Sequence, residues 1–208
     1  HIIIFGLNQL LYFFDAMRKI SVLSILLIIS GCKGKQANDN FPEFEFRANP
    51  ELLGDFNNFG QFSLILPKNY NHIDYERFIQ LKDGLKSKRN SFFNIELMKA
   101  FSAKGNSAIL ILRIDEENVF LKLDDAYYDY LSSIPETDSI RKSSFKLNGI
   151  KTVQYQINSK TFTNIKLFLF IDNIYCLDYT VTNSLFDDKL VEFESCLSTL
   201  KIDKEFKK

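Results

Sequence analysis

Tryptophan is absent from the 208 residues, and histidine occurs only twice, at His1 and His72. An imidazole-based triad therefore has one internal candidate, His72, which sits in a loop-like stretch and reads more simply as a solvated surface side chain. No G-x-S-x-G, H-E-x-x-H, P-loop or G-x-G-x-x-G pattern is present, so phosphate-cradling and zinc-hydrolase chemistry lose their main support. An excess of one charge is also lacking. Lys and Arg number 26 and Asp and Glu number 26, so nothing draws the chain to phosphate backbones, and nucleic acid is not an expected partner. No cofactor is implied. Apolar residues make up 46% and charged residues 25%, with 21 Phe and 9 Tyr. That is the balance of a globular protein with a real core, in which each packed aromatic covers roughly 150–250 Å². The length suits one ordinary domain plus a targeting segment.

The chain begins with His1, and its first methionine is Met17, so residues 1–16 read as extraneous to the natural start. From Met17 the order is Met-Arg-Lys, then Ile20 to Ile29 broken only by Ser21 and Ser24, then Ser30-Gly31-Cys32. A positive n-region, a short apolar h-region and small residues at the end form a secretory signal. Ten helical residues would cover about 15 Å, half of a hydrocarbon core. The segment Ile29-Ser30-Gly31-Cys32 resembles the lipobox of bacterial lipoprotein signal peptides. The resemblance implies that the Cys32 thiol receives a diacylglycerol and that the peptide is cut before it. Two other readings stand beside it: a buried Cys after an apolar helix, and an uncleaved anchor over residues 1–31. Asp15, Arg18 and Lys19 oppose the anchor, each costing about 2.5–3.5 kcal/mol near the centre of a span. Cleavage would leave a formal charge of −1. Lys33 to Asn40 is polar and reads as a tether. Lys33 is not the Asp that resembles an inner-membrane retention signal, which favours the outer membrane.

In the remainder, Phe62 to Leu66 followed by Pro67 predicts a strand. Tyr75 to Lys86 has a helical spacing weakened by Gly84. Asn94 to Ser102 reads as a strand, and Ala108 to Ile114, nearly all apolar, as a central strand buried on both faces. A helix is expected from Leu123 to Ser132, with Leu123, Tyr127, Tyr130 and Leu131 inward and Asp124, Asp125 and Asp129 outward. Ile140 to Leu147 and Ile150 to Asn158 flank Asn148-Gly149, a strong hairpin signal. Ile165 to Ile171 and Ile174 to Val181 flank Asp172-Asn173. A last helix runs from Ser184 or Leu185 to Leu200, with Ser184 as N-cap and Asp187 returning the bond.

This order predicts an α+β fold: a mostly antiparallel meander flanked by helices, with the long C-terminal helix packed on the sheet. Phe62-Ser63-Leu64-Ile65-Leu66-Pro67, Leu147-Asn148-Gly149-Ile150, Ile174-Tyr175-Cys176-Leu177-Asp178-Tyr179 and the closing helix with Leu200-Lys201-Ile202 together resemble the Mog1/PsbP-like fold. That family includes photosystem-associated and Ran-binding proteins and many bacterial lipoproteins. None of these residues forms a catalytic motif, so the resemblance transfers no functional residue. The expected organisation is residues 1–16 extraneous, 17–31 signal peptide, 32–58 lipidated Cys and tether, 59–202 soluble domain and 203–208 charged tail.

Three clusters invite a chemical reading. Asp115-Glu116-Glu117 with Asp124, Asp125 and Asp129 offers oxygens to Ca²⁺ but lacks the EF-hand spacing, and a solvated turn and helix face explain it more simply. Tyr127, Tyr128 and Tyr130 could form a binding platform, although helical spacing makes core packing the cheaper account. Cys176 and Cys196 would share an oxidising compartment, where a disulfide or two unpaired thiols are both open. The functional expectation is a non-enzymatic binding or scaffold module, lipid-anchored on the periplasmic side of the envelope, with the membrane and an envelope protein as partners. The alternatives are a hydrolase without a recognisable motif, which would need a polar cleft with converging carboxylates, and a small-molecule carrier, which would need an apolar cavity between sheet and helix.

Overall fold

A computed structural model describes residues 41–87, 92–104 and 106–203, which belong to one folded unit beginning at Phe41. The segment expected to be a lipobox, Cys32 and the rest of the chain before Phe41 lie outside the described residues.

The turn Asn148-Gly149 has φ of 51° and 79°, the left-handed pair that matches the twist of a two-residue hairpin. It joins β7 (Thr137–Leu147) to β8 (Ile150–Ser159), and β9 (Phe162–Phe170) and β10 (Ile174–Thr182) continue the antiparallel meander. Next to β10 lie β6 (Ser107–Ile114), β5 (Ile95–Ala103) and the two-residue β4 (Asn71–His72). At the other edge β1 (Glu43–Phe44) pairs with β7 in parallel. The eight-stranded sheet is therefore mixed and not a pure antiparallel meander.

Both faces of this sheet are covered, in keeping with β9 and β10, in each of which six of nine residues are apolar. On one face Ile109, Ile111, Leu167, Leu169, Leu177 and Tyr179 pack under a second sheet, ordered β11 (Lys201–Ile202), β3 (Phe62–Pro67) and β2 (Leu53–Asn58), and under α4 (Phe186–Leu197). Phe62 to Leu66 thus forms a strand as expected, but in this smaller sheet. The opposite face carries Leu112, Val153, Tyr155, Phe168 and Cys176 and is covered by α1 (Tyr75–Ser87), α2 (Val119–Lys122) and α3 (Asp125–Ser132). The helix expected over 123–132 forms from Asp125, and a further short helix, Val119–Lys122, precedes it, with Leu123 buried between the two.

The expected tether over 32–58 is corrected from Phe41 onward. Strand β2 pairs with β3, and Gly54 lies so close to it that a Cβ there would stand 2.9 Å from Lys68 Cα. This strand escaped sequence reading because it is an edge held by backbone bonds: Phe56 is 65% exposed, and no apolar alternation marks it.

The start of the last helix also differs. Asn183 accepts from Thr163 Oγ1, donates from Nδ2 to Ser159 and from its backbone N–H to Thr161. These bonds hold Asn183–Leu185 as a 3-10 turn, so α4 begins at Phe186 with Leu185 at the cap position and no side-chain cap. Ser184 is not the N-cap. Asp187 and Asp188 in the first turn still favour the helix dipole. At the far end Thr199 Oγ1 donates to Cys196 and accepts from the Ile65 N–H, tying the helix exit to β3.

Candidate functional site

Cross-strand register places four polar residues side by side on the helix-covered face. Lys166 on β9 is directly opposite Asp178 on β10, and Asn164 is opposite Thr180. Their neighbours are apolar or aromatic: Tyr155 beside Lys166, and Leu110 beside Asp178. Lys166 Nζ donates to Asp178 Oδ2 with side chains only 21% and 12% exposed. Asp178 Oδ1 accepts from Asn164 Nδ2, which also reaches Thr180 Oγ1 at 2.7 Å and the Tyr179 carbonyl at 3.1 Å. The buried Asn164 Oδ1 has no partner among the described residues. Burial is the largest single influence on the Lys166 ammonium and works against it, but the charge and hydrogen bond of Asp178 act together with Tyr127 and Cys176 to hold the lysine pKa above its ordinary value.

Helices α1 and α3 do not close over this pair. They leave a cleft of about 350 Å³ whose lining includes Lys166 and Asp178. Leu81 and Leu85 from α1, Phe93 ahead of β5, and Tyr127, Tyr130 and Leu131 from α3 form its walls. The rings interlock: Phe93 lies 5.0 Å from Tyr127, and Tyr127 meets Phe168 edge-on at 5.5 Å. The Tyr155 hydroxyl donates to the Leu123 carbonyl and fixes the approach to α3. Size, apolar walls and a few convergent polar groups are the marks of a small-molecule site. Cys176 also lines the cleft, but burial pushes its thiol pKa far up, leaving a poor nucleophile. Among the described residues only one carboxylate, that of Asp178, reaches the cleft, and it is already paired.

The residues singled out by sequence are dispersed. His72 is exposed on β4 with its ring 4.4 Å from Phe101. Glu116 pairs with Lys122, and Asp124 with Lys142. Among the described residues no group of three or more His, Cys, Asp or Glu could hold a metal ion. The tyrosines split: Tyr127 is buried, Tyr130 half-buried and Tyr128 exposed. Cys176 and Cys196 are both free and buried, in the clusters on opposite faces of the sheet. No described helix is long and apolar enough to cross a membrane.

Sequence reading missed Lys166, Asp178 and Asn164. The signal was one charge within each of two apolar strands, four residues before and four after the pair Phe170 and Ile174 that closes their turn. Two further concavities are larger in volume, but among the described residues neither is lined by both partners of an ion pair. A groove of about 510 Å³ on the other face has Phe44, Phe186 and Phe193 beside Glu194, whose carboxyl burial pushes up, and an exposed Arg141. A polar hollow holds Lys68, Lys104 and Lys189, the last bonded to Glu192.

No protein-family model matches the chain. No curated protein matches it. Among solved structures it is similar to the solution structure of cyanobacterial PsbP (CyanoP) from Synechocystis sp. PCC 6803, at 11% identity and a TM-score of 0.42, over 82% of this chain and 99% of that one. A likeness at this score carries neither fold detail nor function across.

Proposed function

We propose that this chain is an envelope lipoprotein, anchored through lipid on Cys32, whose domain is a non-catalytic module that holds a small and mainly apolar molecule in the cleft between the large sheet and helices α1 and α3. The cleft itself carries the reading: aromatic and aliphatic walls around a neutralised ion pair favour binding over turnover. The hydrolase alternative lacks the converging carboxylates it would need among the described residues. The domain is assigned to the Mog1/PsbP-like group on its element order and its closing helix.

The anchor and the cleft are tested separately. Cys32→Ala in the full chain should abolish incorporation of labelled fatty acid and move the protein from the membrane to the soluble fraction; persistent label contradicts the anchor. For the cleft, the Cys32→Ala chain should enhance N-phenyl-1-naphthylamine fluorescence saturably at one site. An enhancement that rises linearly without saturation contradicts a defined cleft.

A further inference from the structure

The floor of the cleft specifies more than an apolar occupant. A lysine ammonium has three N–H donors, and among the described residues Asp178 Oδ2 is the one acceptor bonded to Lys166 Nζ. Two donors are left at a position that lines the cleft. A molecule that covers Lys166 displaces water from those donors, and it loses affinity unless it supplies an acceptor in return.

The charge on that acceptor is constrained as well. Lys166 and Asp178 neutralise each other, and Asn164 and Thr180 beside them carry no charge. An anionic head would bring an uncompensated negative charge next to Asp178 between apolar walls, and a cationic head would face Lys166. Either imposes a desolvation cost without a partner to offset it.

We infer that the cleft selects an uncharged ligand bearing a carbonyl oxygen, which accepts from Lys166 Nζ while a flat ring lies against Leu81, Leu85 and Tyr130 on the cleft walls. This rests on the reading that the cleft is a binding site. The two ideas separate in a matched naphthalene series: 2-acetylnaphthalene, 2-ethylnaphthalene, 2-naphthoate and 2-naphthylmethylammonium, each titrated by calorimetry or ligand fluorescence.

The full-length Cys32→Ala chain is used, so that no acyl chain competes for the probes. The ketone is expected to bind about tenfold or more tightly than the ethyl analogue, the size of one hydrogen bond to a charged donor, with both ions weaker than the ketone. In the paired variant Lys166→Met with Asp178→Leu, which leaves no lone buried charge, the ketone's advantage disappears while the ethyl compound still binds. Equal affinity of ketone and ethyl compounds in the parent chain overturns the carbonyl inference and leaves the cleft reading standing. Tightest binding of naphthoate or of the ammonium compound does the same. Binding of none of the four overturns both.

Discussion

Lys166 and Asp178 form an ion pair at positions where an apolar pair would pack as well, so the two charges add little net stability while each depends on the other. Removing one is therefore costly. Asp178→Ala should lower unfolding free energy by about 3 kcal/mol, the low end for a broken buried pair because Lys166 keeps some contact with water. Lys166→Met with Asp178→Leu should recover most of that loss. A urea denaturation series checks both, and a loss for Asp178→Ala of under about 1 kcal/mol would contradict the burial argument. The pH dependence has a definite sign. The folded state holds the Lys166 proton more tightly than the unfolded chain, so the pair's contribution is intact below the ordinary lysine value of 10.5 and is lost as pH rises past it. Burial raises the Tyr127 and Tyr155 phenols too, which adds an alkaline loss of the same sign. The difference between the parent chain and the double variant, followed from pH 8 upward, reports the pair together with its effect on the neighbouring Tyr127 and Cys176.

At the scale of elements, much was legible where side-chain patterning and local turn chemistry agree. Asn148-Gly149 announces its hairpin because both positions need φ above zero, and the apolar spacing from Phe186 to Leu197 announces α4. Elements defined by long-range backbone pairing were not. Strand β2 shows a mostly exposed sequence, and β11 follows the last helix as two exposed residues, yet both complete the small sheet over the core. The boundary expected near residue 59 came from that gap. Gly54 gives a direct check. A side chain there would collide with the backbone at Lys68, so Gly54→Val should destabilise the domain by about 1–3 kcal/mol, in the range for overpacking. An unchanged thermal midpoint would return residues 41–58 to the status of a tether. The cleft was legible only in part: the helix pattern pointed Tyr127 and Leu131 inward, but the meeting of Lys166 with Asp178 depends on strand register, which no local window contains.

For the whole molecule, the three-layer arrangement divides the labour of the two sheet faces. The face under α4 and the small sheet is packed with Phe62, Leu64, Leu177, Tyr179 and Phe193, and Tyr179 stacks on Phe193 at 4.3 Å. Dense packing of that kind holds the strands rigid. The other face is covered by helices of 13, 4 and 8 residues, and the space between the first and last of them is the cleft. A binding site built on strands of a buried sheet keeps its polar groups in place without a ligand. The most direct test is a titration of the isotope-labelled full-length Cys32→Ala chain with 2-acetylnaphthalene, followed by backbone amide shifts. Saturable shifts concentrated in β9, β10, α1 and α3, centred on Lys166 and Asp178, are the predicted result. Shifts confined to the groove around Phe44, Phe186 and Phe193, or no saturable shift at all, would contradict the assignment of the cleft as the binding site.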